Sequence, residues 1–213
     1  MTNNVREEGV GVKNMKLLFG TSNPAKILFM QQRLDPLGIE VLSLTDVNAP
    51  KIEIDESGND PLENARIKAL AYYQALKMPV FSCDSGLYID ELDEKRQPGL
   101  YIRRVQGRSL SDEEMIAHYT SLAEEFGGKL TARYKNAICF VLDESNIYEH
   151  MGEDIASEPF FIVSVPHKKR SDGFPLDRLS VSMASGKYYN DLDVKEKYLD
   201  DGFAPFFKRA LSF

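Results

Sequence analysis

Apolar and polar positions alternate along the chain in blocks that read as strands and helices in turn. Lys16–Gly20, KLLFG, is a short apolar run closed by glycine and predicts a buried strand. From Pro24, apolar residues recur at Ile27, Met30, Leu34 and Leu37, the spacing of one helical face. Asn23 reads as its N-cap and Pro24 as its first residue. Ile39–Leu44, IEVLSL, predicts a second strand, so the chain opens as strand–helix–strand. The next helix starts at Asp60, Pro61 and Glu63, in N-cap, N1 and N3 positions. Leu62, Ala65, Ala69, Tyr72, Tyr73 and Leu76 form its stripe. Pro79–Cys83, PVFSC, follows as a strand, then DSG, then LYIDEL. Ser111–Gly128 is amphipathic and stopped by glycines.

From Lys129 to Val165 the period shortens. ARYKNAICFVLD, NIYEHMGEDIA and EPFFIVSV predict consecutive antiparallel strands, with Glu144, Ser145 and Asn146 as a turn. Val194–Phe213 predicts a helix broken near Gly202 and Pro205. Met1–Asn14 is polar with weak periodicity and reads as a flexible extension or an upstream start. The reading is therefore α/β: a mixed sheet with flanking helices, a strand-rich second lobe and a central cleft. Residues 15–213 form one two-lobed domain.

Composition narrows the function. The 213 residues are 43% hydrophobic, enough for a well-buried domain, and carry a net charge of -7. That charge argues against polymeric nucleic acid as a partner. No run is apolar enough to span a bilayer and no signal peptide is visible. Cys83 and Cys139 show no CxxC spacing, and His118, His150 and His167 are scattered. A cytoplasmic setting follows as the expectation.

Candidate chemistry sits at element ends. Lys26 falls in the first turn of a helix, at the positive end of its dipole, where a cation is disfavoured unless an anion joins it. Free N–H groups and an ammonium converging there make an anion site. Glu56 and Glu63 flank the start of the Pro61 helix, Lys68 lies on it, and Asp84 closes a strand before Ser85-Gly86. Carboxylates from separate loops suit Mg²⁺, and lysines facing them suit phosphates. Each also has a plainer reading. Glu63 completes a capping box, Glu56 is a loop acid, Asp84 forms a turn and Lys68 is a surface lysine. GxxxxGK[ST], GxGxxG after a strand and GxSxG are all absent from the sequence.

Taken in order, TSNPAK, ESGNDPLENARIKA, CDSGLYID and PGLYIRRVQG resemble the inosine/xanthosine triphosphate pyrophosphatase family over roughly Lys16 to Gly107, and ARYKNAICFV extends the likeness. The resemblance implies a homodimeric, Mg²⁺-dependent enzyme that hydrolyses non-standard purine nucleoside triphosphates to the monophosphate and pyrophosphate. It implies Ser22, Asn23, Lys26, Lys68 and Ser85 on the substrate, Glu63 and Glu56 on the metal, and Asp84 as the acid that ligates metal or activates water. Attack at the α-phosphorus accounts for those products.

The chain departs from the family pattern at three places. Cys83 stands where a second acid is usual, and a thiol is a poor Mg²⁺ ligand. GFPLDRL, Gly173–Leu179, keeps Phe174 and Asp177 of the stretch that meets the base and replaces the rest. PFFKRAL lacks the S-H-R histidine, leaving Lys208 or Arg209 as a candidate base or phosphate contact, with Lys197 as another. These departures keep two alternatives in view: the same reaction on a different or modified base, and a non-catalytic nucleotide sensor.

Overall fold

The computed structural model describes residues 15–193 and 202–212. The extension read at residues 1–14 lies outside the described residues, as does Lys197. β1 (Met15–Phe19), α1 (Pro24–Leu34), β2 (Ile39–Leu42), α2 (Pro61–Leu76) and β3 (Val80–Ile89) build the opening. A small hairpin of β4 (Arg104–Val105) and β5 (Arg108–Ser109) precedes α3 (Asp112–Glu125). β6 (Lys129–Val141), β7 (Ile147–His150), β8 (Phe160–Val163), β9 (Ser180–Ser182) and α4 (Phe203–Leu211) complete it. The main sheet runs β2-β1-β3-β6-β8-β9, with β7 also on β6. β1 is parallel to β2 and β3, and the other pairs are antiparallel, which makes the sheet mixed.

Helix starts follow local chemistry. Asn23 caps α1, Asp60 accepts from the Glu63 N–H at 2.9 Å, and Ser111 with Glu114 forms a reciprocal capping box on α3. Strand alternation then sorts side chains into layers. Leu17, Phe19, Phe81, Ile138 and Phe140 face α1 and α4, whose Met30, Leu34, Phe206 and Phe207 complete one core. Leu18, Val80, Cys139 and Val141 face α2, against Ala65 and Ala69. A further core lies at the other end of β3 and β6. There Leu87, Ile89, Leu130, Phe160 and Ile162 pack under α3.

Three expectations need correction. Asp84 neither closes a strand nor forms a turn: β3 passes through DSG, pairing Asp84 with Ala137, Ser85 with Asn136 and Gly86 with Lys135 on β6. The Ser85 hydroxyl donates to Asn136 Oδ1 at 2.7 Å, so the partner strand overrides the local turn preference. The later strands do not simply follow one another. β7 takes the Ile138–Val141 end of β6, and β8 takes Lys129–Ala132 on the same strand, which at 13 residues is long enough for both. Pro205 does not break the last helix. It sits in the first turn of α4, where its missing N–H costs nothing, and Gly202 is the N-cap.

Candidate active site

β1 stops at Phe19 while β3 runs on beside it, and a cleft of about 380 Å³ opens at that step. Ligand sites in α/β sheets favour such carboxyl ends of parallel strands. Ser22 and Lys26 reach the cleft from the β1–α1 segment, Glu56 from the loop before α2, Lys68 from α2 and Asp84 from β3. Five residues singled out in the sequence thus meet in one place.

Each is held there by its own support. The buried Gly58 N–H donates to Asn64 Oδ1 at 2.9 Å and pins the loop behind Glu56 to α2. Lys68 Nζ lies 2.9 Å from Glu56 Oε2 and 3.2 Å from Asp84 Oδ1, tying loop, helix and strand together. The side chains of Lys68 and Asp84 are only 12% and 16% exposed, so this is not a solvated surface pair.

The start of α1 works differently from the expectation. Pro24 has no N–H, and Asn23 Oδ1 takes those of Ala25 at 2.9 Å and Lys26 at 3.4 Å. The first-turn amides are therefore capped rather than free, and the anion attraction comes from the Lys26 ammonium and the helix dipole. Burial holds Lys26 below the ordinary lysine pKa. Nearby Lys68 adds to the depression, while Asp84 and Glu56 oppose it.

Cys83 lines the cleft too. Burial pushes its thiol up to about 12, against the pull of Lys26 and Lys68, so it is neutral at physiological pH and no substitute for an acid. Glu63 is not among the residues lining the cleft. Its Oε2 accepts from the Asn59 N–H at 2.7 Å and from Asn59 Nδ2 at 3.0 Å, one residue beyond the capping-box partner the sequence suggests. Among the described residues, no three His, Cys, Asp or Glu side chains converge as a preformed metal cage.

The remaining candidates lie elsewhere. Phe174 packs on Phe29 of α1, ring centroids 6.4 Å apart, and the carbonyl of Gly173 accepts from Asn23 Nδ2 at 3.1 Å. Asp177 sits near Tyr134 and Tyr189, whose hydroxyls burial raises well above the usual range, with Asp177 adding to the rise. Arg209 is exposed on the last turn of α4, close enough to Asp154 to help depress that acid. Ser85 is turned toward Asn136. Sequence reading missed Thr21, Ile52, Ile54 and Tyr72 as cleft residues. Tyr72 had a usable signal, since it lies one turn after Lys68 on the same helical face. Its ring rests against Gly20, where a Cβ would come within 2.7 Å of the ring. Ile52 and Ile54 had none.

Fold and cleft define the class, a mixed α/β protein with an ionic cleft at the end of a parallel strand. Residues 17–197 match the Ham1 family, and the chain belongs to that family. It is 35% identical over 174 residues to the dITP/XTP pyrophosphatase of Exiguobacterium sp., covering 74% of this chain and 85% of the relative. With the dITP/XTP pyrophosphatase of Bradyrhizobium diazoefficiens it shares 35% identity over 138 residues, 63% of this chain. That match spans 64% of the Bradyrhizobium protein, just under two thirds of its length. The fold is that of a HAM1 protein from Coxiella burnetii, with a TM-score of 0.68, 24% identity and coverage of 93% of this chain and 98% of that one. The family read from TSNPAK, ESGNDPLENARIKA and CDSGLYID is therefore the right one.

Proposed function

We propose that the chain hydrolyses non-standard purine nucleoside triphosphates of the inosine and xanthosine type to the monophosphate and pyrophosphate. One observation carries the reading: Lys26, Lys68, Glu56 and Asp84, from four separate segments, face one another across a single cleft. Two relatives bear the name dITP/XTP pyrophosphatase, which supplies the substrate class.

The residues divide the work by charge. Lys26 and Lys68 face the triphosphate and stabilise the charge that builds on the leaving pyrophosphate, in a cleft that already orients them. Asp84, partly buried and acceptor-rich, orients a water and takes its proton for in-line attack at the α-phosphorus. Glu56 and Asp84 fit Mg²⁺, offering hard oxygen ligands from two segments with room for phosphate oxygens and water. Glu63, whose Oε2 holds Asn59, is the further candidate ligand. A bound Mg²⁺ supplies Lewis-acid stabilisation of the phosphoryl oxygens. Phe174, which packs on α1, and Asp177 are the candidates for reading the base. The working form is a homodimer, and the setting is cytoplasmic, in keeping with two free cysteines. Among the described residues, no helix is long and apolar enough to cross a membrane.

The test is a panel of ITP, XTP, dITP and the four standard triphosphates with Mg²⁺, assayed for pyrophosphate. Release from the inosine and xanthosine forms above the standard ones is expected, with a loss of about 10² or more in kcat for Asp84→Asn. No pyrophosphate from any of them rejects the reading, and tight binding without turnover makes the protein a sensor.

A further inference from the structure

Two carboxylates and two ammonium groups leave the cleft formally neutral. We propose that Lys68 is the resident counter-ion of the metal site. Its ammonium holds Glu56 and Asp84 in the nucleotide-free protein, and a divalent ion gains those carboxylates only when a triphosphate draws Lys68 away. This rests on the reading of the cleft as a site for metal and triphosphate together.

The geometry argues for it directly. Lys68 Nζ is within ion-pair distance of both carboxylates at once, 2.9 Å from Glu56 and 3.2 Å from Asp84. A divalent ion approaching those oxygens meets an ammonium already bound to them, with Lys26 close behind. At such distances one unit charge changes an ion's affinity by orders of magnitude unless water screens it. Lys68 and Asp84 are largely shielded from water. Among the described residues, no third acid converges on the pair to outbid the lysine.

A triphosphate changes each of these conditions. It brings negative charge that offsets the incoming metal and acceptor oxygens that complete its shell. It also gives Lys68 new partners within reach, because a lysine head on a four-carbon stem is a mobile point charge. Metal and nucleotide then strengthen each other's binding by the same factor. Free divalent ion is kept off the catalytic carboxylates until substrate arrives.

Mn²⁺ is the probe, followed by calorimetry and by the electron paramagnetic resonance signal of the free ion. Binding is compared in the nucleotide-free wild type, in Lys68→Met and in Lys68→Met with Asp84→Asn. Lys68→Met is expected to bind Mn²⁺ at least about tenfold more tightly than wild type, and the added Asp84→Asn to abolish that gain. Wild type with a non-hydrolysable α,β-methylene analogue of ITP is expected to gain a similar factor. Lys68→Gln, checked by circular dichroism, takes the place of Lys68→Met if the latter does not fold. Equal Mn²⁺ affinity in wild type and Lys68→Met overturns the inference. So does tightening that survives Asp84→Asn, because the metal then sits elsewhere. The first comparison involves neither nucleotide nor turnover. A wild type that releases no pyrophosphate but shows Asp84-dependent tightening in Lys68→Met would lose the proposed activity and keep the counter-ion.

Discussion

Lys26 is held below the ordinary lysine pKa, chiefly by burial and then by Lys68. That has a consequence for stability. The unfolded chain keeps the Lys26 proton until about the ordinary lysine value of 10.5, and the folded chain releases it sooner. Between the lowered folded value and 10.5 the unfolded state binds more protons, so stability rises with pH across that window. Below the window, folding bears the cost of a charged, partly buried ammonium. Lys26→Met is therefore expected to melt higher than wild type at neutral pH without nucleotide, with the gap closing toward pH 10.5. Its kcat/KM is expected to fall by about 10²-fold as a phosphate contact is lost. Thermal melts across pH check the first part. A Lys26→Met variant that is less stable than wild type throughout would show that its contacts with Asp84 and Glu56 outweigh its burial.

At the scale of the element, the start of α2 carries two jobs in one residue. Glu63 holds Asn59 through both its amide groups, and Asp60 caps the Glu63 N–H. A glutamine keeps an acceptor for Asn59 and removes the charge. Glu63→Gln is thus expected to shift stability by about 1 kcal/mol or less and to raise the Mg²⁺ concentration for half-maximal rate. An unchanged Mg²⁺ requirement leaves Glu63 as a cap alone. Helix starts of this kind were legible in the sequence because a cap is decided within four residues, as at Asn23, Asp60 and Ser111. The passage of β3 through DSG was not, because Ala137, Asn136 and Lys135 decide it from some fifty positions away. For the same reason Glu56, Lys68 and Asp84 could be named one by one, but local pattern does not place them within ion-pair reach. Phe174 was found as an aromatic, yet its partner Phe29 lies on a helix that local pattern ties only to the core.

For the whole molecule, the long ladder between β3 and β6 is the decisive feature. It runs unbroken from Val80–Val141 at one end to Ile89–Ala132 at the other. The first end belongs to the cores under α1, α4 and α2, and the second to the core under α3. Asp84 sits between them, so the catalytic acid depends on a strand that both ends stabilise. Neither end can melt without stripping partners from strands the other needs, which makes one cooperative unit the expectation. Ile162, fully buried on β8 and remote from the cleft, tests this. Ile162→Ala is expected to cost about 2–5 kcal/mol through the cavity it leaves. In scanning calorimetry the whole transition should move down as a single peak, with calorimetric and van't Hoff enthalpies still equal. A second, lower-melting peak, with Mn²⁺ and analogue binding retained above it, would mean that the α3 end unfolds alone and that the cleft stands on the β1–α1–α2 end by itself.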